Sequence, residues 1–89
     1  MARIKMYTTP WCGYCAAARE LLRSRNVDFV DIDVSMNSEL RQEMTDKSGS
    51  TTVPQIFIND HHIGGYSDMA ALDEQGELDQ LLNPDSPAA

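Results

Sequence analysis

Cysteine is scarce in this sequence: only Cys12 and Cys15 occur among 89 residues. A pair closing so short a loop removes little freedom from the unfolded chain, so a disulfide scaffold is excluded. In a reducing compartment such a pair is metal-binding or redox-active instead. Long apolar runs are also missing, which excludes a transmembrane helix. The start, Met1-Ala2-Arg3-Ile4-Lys5-Met6, has charge but no signal-peptide apolar stretch, so the expected compartment is the cytoplasm. Cations are few, with seven Lys and Arg against fourteen Asp and Glu, a net charge of −7. Such a chain is a poor partner for nucleic acid or an anionic membrane. With 42% apolar residues it is expected to fold, as one small domain over 1–82 with a frayed tail over 83–89.

The charge is uneven. Residues 1–27 carry five cations and one acid, while residues 28–89 carry two cations and thirteen acids. Both cysteines lie in the positive segment. The expected picture is a positive island on an acidic body.

Arg3 to Thr8 alternates in its first four residues and holds Ile4, Tyr7 and Thr8, so it reads as a strand. Pro10 ends it. From Cys12 to Arg25 the pattern is helical, with Ala17/Leu21 and Ala18/Leu22 on the apolar face. Arg19, Glu20, Arg23 and Arg25 are its solvated partners, and Asn26 is a stop. Val27 to Val34 is β-branched and reads as a second strand, giving a βαβ unit with a parallel pair. Asn37 or Ser38 caps a second helix, with Leu40/Met44 on one face and Glu43/Lys47 as a surface pair. Ser48-Gly49-Ser50 closes it. Gln55 to Ile58 and His61 to Ile63 form a hairpin about Asn59-Asp60. Gly64-Gly65 ends the hairpin. Ser67 caps a third helix running past Gly76 to Leu82. Met36, Met44 and Met69 read as core filler. His61 and His62 read as turn and strand residues. Trp11 reads as a partly exposed cover over the cysteine pair. The order is β-α-β-α-β-β-α, an α/β fold with a four-stranded mixed sheet and helices on both faces.

Cys12-Gly13-Tyr14-Cys15 falls where the first strand gives way to the first helix. Backbone N–H groups without intrahelical partners gather there, and with the helix dipole they favour an anion. The thiolate is the reactive form of cysteine. Cys12 is placed to attack, and Cys15, one turn deeper, to resolve. A zinc site needs four ligands, and beyond the cysteines only His61 and His62 are candidates. Neighbouring strand residues point to opposite faces, which argues against that tetrahedron. An inert core pair is the other alternative.

Three segments together resemble the glutaredoxin family over residues 3–82. They are Tyr7-Thr8 leading into Cys12-Gly13-Tyr14-Cys15, then Thr52-Val53-Pro54-Gln55-Ile56-Phe57-Ile58, then Ile63-Gly64-Gly65-Tyr66-Ser67-Asp68. The resemblance implies a thioredoxin fold and a glutathione-dependent thiol–disulfide oxidoreductase. It makes Cys12 the nucleophile, Cys15 the resolving thiol and Tyr14 an aromatic lining a glutathione groove beside Thr52. Val53 is implied to pair through its backbone with the cysteinyl part of glutathione, and Pro54 to be cis. Gly65 permits close approach. Ser67 and Asp68 are implied to hold the γ-glutamyl end, and Arg41 to face the glycine carboxylate. A solvated helix arginine is the plainer alternative for Arg41. Glutathione is implied as cosubstrate with no tightly bound cofactor, and glutathionylated or disulfide-containing proteins as partners of a monomeric chain.

Gly13 stands where many members have proline, Thr9 where many have lysine, and Thr51 where some have arginine. Loss of the two cations leaves thiolate stabilisation to the helix start. In the family, glycine at the position of Gly13 is associated with a 2Fe-2S cluster shared between two chains, for which Cys12 is the implied ligand. A cluster carrier or sensor is therefore one rival function. A redoxin reduced by a flavoenzyme is another, because Trp11-Cys12-Gly13 looks thioredoxin-like.

Overall fold

The computed structural model describes residues 2–83. Its elements are β1 (Ile4–Thr8), α1 (Gly13–Ser24), β2 (Val30–Asp33), α2 (Ser38–Ser48), β3 (Gln55–Ile58), β4 (His61–Gly64), α3 (Tyr66–Glu74) and α4 (Leu78–Leu82). The strands lie in the order β2-β1-β3-β4. β1 runs parallel to β2 and antiparallel to β3, and β3 is antiparallel to β4. The expected mixed sheet is therefore present.

Alternation along β1 and β3 divides the core between the two faces of the sheet. Ile4, Met6, Ile56 and Ile58 meet Ala18 and Leu22 of α1, Met69 of α3, and Leu78 and Leu82 of α4. Tyr7 and Phe57 point the other way, toward Val34 and Met44 of the α2 side. Each fully buried Leu, Ile or Met contributes about 1.5–3 kcal/mol, so the larger cluster under α1 anchors the sheet. The Tyr7 hydroxyl donates to Glu43 Oε2 at 2.6 Å, tying β1 to α2.

The turns follow from their residues. Asn37 Oδ1 accepts from the Leu40 N–H at 3.0 Å and starts α2. Asn59 and Asp60, at φ 51° and 67°, both take the left-handed region that a two-residue hairpin of this kind requires.

Several expectations need correction. β2 is shorter than Val27–Val34, because Val27 and Phe29 pack against the core outside the ladder. The third helix is two, α3 and α4, divided at Gly76 with φ 75°. Ser67 does not cap it. Gly65 is the N-cap, and the Asp68 carboxylate accepts from the Gly65 N–H at 2.9 Å. Ser67 instead lies inside the first turn. Met36 is 92% exposed on the loop before α2, whereas Met44 and Met69 are fully buried as expected. The expected tail over 83–89 lies, beyond Asn83, outside the described residues.

Candidate functional site

Cys12 is the N-cap of α1, and its sulfur accepts from the Cys15 N–H at 3.2 Å. The first helical turn therefore directs backbone dipoles at Cys12 Sγ, as charge at a helix start requires. Cys12 is partly exposed while Cys15 is fully buried, and both are free thiols. Burial, and after it the hydrogen bond to Cys12, push the Cys15 thiol up to about 12. At pH 7 such a thiol is ionised only on the order of one time in 10⁵. Cys12 Sγ also lies 3.7 Å from the Val53 carbonyl oxygen across the site, to which a protonated thiol donates.

A cavity of about 550 Å³ opens beside this contact. Tyr14 of α1 forms one side. Thr52, Val53 and Pro54 form another, and Gly65, Ser67 and Asp68 at the start of α3 form the third. Seven of the residues singled out by resemblance thus converge on one concavity next to Cys12. The Val53–Pro54 peptide is cis. Val53 makes no backbone–backbone hydrogen bond among the described residues, so its peptide edge is available. Gly64 is at φ 117°, and a Cβ there would lie 2.3 Å from Asp68 Oδ2. The glycine is required by the carboxylate that caps α3. Among the described residues Gly13 has nothing within 4 Å of a Cβ position, so none of them enforces glycine there.

Arg41 is not among the cavity's lining residues. It sits half-buried on α2 and forms no ion pair among the described residues. The expected positive island is also corrected. Among the described residues, no lysine or arginine lines the cavity. Three arginines of the positive segment are spent on acids: Arg3 on Asp60, Arg19 on Asp31 and Arg25 on Asp73. Arg19 is not a solvated partner, since its side chain is only 18% exposed. It holds Asp31, which also accepts from the Thr8 hydroxyl, and so fixes α1 to the ends of β1 and β2. Trp11 is 77% exposed and stands clear of the cavity lining.

The structure adds residues that sequence reasoning missed. Tyr66 stacks on Tyr14 with ring centroids 6.3 Å apart. Gln55 and His62 line the cavity and bond to each other at 2.7 Å. The available signal was a lone amide within the otherwise apolar run Val53 to Ile58.

A family model described as glutaredoxin matches residues 4–63. The chain is 48% identical over 83 residues to a glutaredoxin of Pseudomonas aeruginosa, covering 93% of this chain and 99% of that protein. It is 49% identical over 82 residues to glutaredoxin 3 of Escherichia coli strain K12, covering 92% of this chain and 99% of that protein. Its fold superposes on the solution structure of glutaredoxin from Brucella melitensis with a TM-score of 0.84. That structure is 44% identical, and the match covers 99% of this chain and 96% of the other.

Proposed function

The chain belongs to the glutaredoxin family and is a thiol–disulfide oxidoreductase, and on that premise we propose that glutathione is its cosubstrate and its electron donor. The observation that carries this reading is the juxtaposition of Cys12 Sγ, the free Val53 edge and the start of α3 around one cavity. A peptide laid beside Val53 adds to it as a strand would. Its sulfur then falls at Cys12. The γ-glutamyl carboxylate meets the open N–H groups of the first turn of α3, and the ammonium meets Asp68 Oδ1. Asp68 Oδ2 is already engaged by Gly65. Tyr14 covers the peptide, and Thr52 and Pro54 shape the wall beneath it. Arg41 is given no contact.

The Cys12 thiolate attacks the glutathione sulfur of a protein–glutathione disulfide. The Cys12–glutathione bond forms, the mixed disulfide breaks, and the protein thiolate leaves and takes a proton from water. A second glutathione thiolate attacks that adduct, giving oxidised glutathione and the Cys12 thiolate. For a protein disulfide, Cys12 forms a mixed disulfide with the substrate. Cys15 then loses its proton and attacks Cys12, releasing the second substrate thiol and leaving a Cys12–Cys15 disulfide. Two glutathiones reduce it. Exchange of this kind needs a thiolate attacker and an acidic leaving thiol. Cys15, held protonated, does not compete for the first attack.

The proposed protein partners carry glutathionylated or paired cysteines. The proposed compartment is the cytoplasm, where thiols are kept reduced. No helix among the described residues is long and apolar enough to cross a membrane. The test supplies either glutathione with its own reductase, or a thioredoxin-type flavoenzyme, as the sole reductant. Turnover of a glutathionylated peptide with glutathione alone is expected. Turnover with the flavoenzyme alone contradicts the reading.

A further inference from the structure

We propose that His62 is a positioning residue for this groove, acting through Gln55 on the backbone of Thr52 and Val53. The proposal rests on the glutathione reading above.

The pairing of β3 with β4 shifts register at Ile56 and Phe57, which sets His62 opposite Phe57. Gln55 and Phe57, two apart on β3, share one face of the sheet. The His62 ring therefore lies beside both. Its centroid is 5.0 Å from that of Phe57, and its Nε2 is 2.7 Å from Gln55 Oε1.

Gln55 is 4% exposed, so its amide must find partners within the protein. Its Nε2 donates to the Thr52 carbonyl at 3.0 Å and to the Thr52 hydroxyl at 3.1 Å. A carbonyl only accepts, so the nitrogen end of the amide faces Thr52. The oxygen end then faces His62, and His62 Nε2 carries the hydrogen that joins them. Among the described residues, His62 is the partner of that amide oxygen. Without it the oxygen is orphaned, and turning the amide over would set oxygen against the Thr52 carbonyl. One side chain on β4 thus fixes the polarity of a buried amide, and the amide fixes Thr52.

Thr52 is further tied by its N–H to Ser50 Oγ at 3.2 Å. The next residue is Val53, whose carbonyl meets Cys12 Sγ and whose edge is proposed to receive the ligand. Slack at Thr52 therefore becomes misalignment between the bound sulfur and Cys12.

His62 is exposed, so substituting it is compatible with folding. The experiment compares wild type, His62→Ala and His62→Gln on one peptide carrying either glutathione or cysteine as its mixed disulfide. Hydrogen exchange of the Thr52 amide, which donates to Ser50 Oγ, is measured in the same proteins. His62→Ala is expected to lower the preference for the glutathionylated form about fivefold and to speed exchange of the Thr52 amide by a similar factor. His62→Gln, which also offers an N–H, restores both to within about twofold. Alkylation of Cys12 by iodoacetamide stays near the wild-type rate in both variants. The proposal is overturned if His62→Ala leaves amide exchange unchanged, or if His62→Gln behaves like His62→Ala. A wild type without preference for the glutathionylated peptide contradicts the glutathione reading instead, and amide exchange still decides the role of His62.

Discussion

The two walls of the site are built on opposite principles. The α1 wall works through side chains: the partly exposed Cys12 sulfur, buried Cys15 and the Tyr14 ring. The facing wall, from Ser50 to Asp68, works through backbone: the Val53 edge, the Gly64 turn and the first turn of α3. Reactivity needs particular atoms at a helix start, whereas recognition of a peptide needs open N–H and C=O groups at fixed angles. The first wall is anchored by ion pairs at its back, Arg19 to Asp31 and Arg25 to Asp73. The second is held by neutral hydrogen bonds among Ser50, Thr52, Gln55 and His62.

If this division is right, substitutions in the two walls fail in different ways. The largest effect belongs to the first wall. Cys12→Ser is expected to lower all turnover by about a thousandfold or more, since no other thiolate replaces it. A deglutathionylation assay checks this, and the variant should retain the wild-type urea midpoint. Cys15→Ser should separate the two reactions. Reduction of a protein disulfide falls steeply, while deglutathionylation stays within about threefold of wild type. Equal loss of both would break the assigned roles of the two cysteines.

A smaller effect, of another kind, belongs to the second wall. Gly64→Ala forces a side chain into a left-handed residue and against Asp68 Oδ2. The expected cost is about 1–3 kcal/mol in urea unfolding, with weaker binding of the glutathionylated substrate. Cys12 alkylation should be little changed, because nothing in α1 moves.

The last effect is in the pH dependence of stability. Burial holds Cys15 up to about 12 against an ordinary value of 9.0, and Tyr7 up to about 12 against 10.0. Both groups therefore keep their protons in the folded chain at pH values where the unfolded chain has lost them. Their contribution is fully present below pH 9 and is lost as pH rises from about 9 toward 12. Urea midpoints should fall across that range, and Cys15→Ser should flatten the part that begins lowest. A midpoint that rises with pH there would contradict the burial of both groups.

The same contrast explains what was legible in the sequence. Alternation in Arg3 to Met6 and the β-branched run of β2 disclosed the strands, and Asn37 and Asn59-Asp60 disclosed their own turns. The first wall was readable because its chemistry resides in residue types, namely two thiols one helical turn apart. The second wall was readable only by resemblance, since an available peptide edge at Val53 leaves no mark in composition. Reasoning from charge failed because charge is a property of pairs. The arginines near Cys12 in sequence reach Asp31, Asp60 and Asp73, which are distant in the chain. Ser67 was misread because serine is a common cap, while here Asp68 reaches back to Gly65 and takes that role. Gln55 and His62 were missed because their bond depends on a register shift between β3 and β4.

The claim joining the two walls is that the glutathione half of a mixed disulfide lies along the second wall, with its sulfur delivered to Cys12 on the first. Mass spectrometry of the Cys15→Ser protein, acid-quenched during turnover of a glutathionylated peptide, tests this most directly. The account predicts one dominant adduct, glutathione on Cys12, with the peptide released as a free thiol. A dominant adduct of peptide on Cys12, with glutathione released, would contradict it.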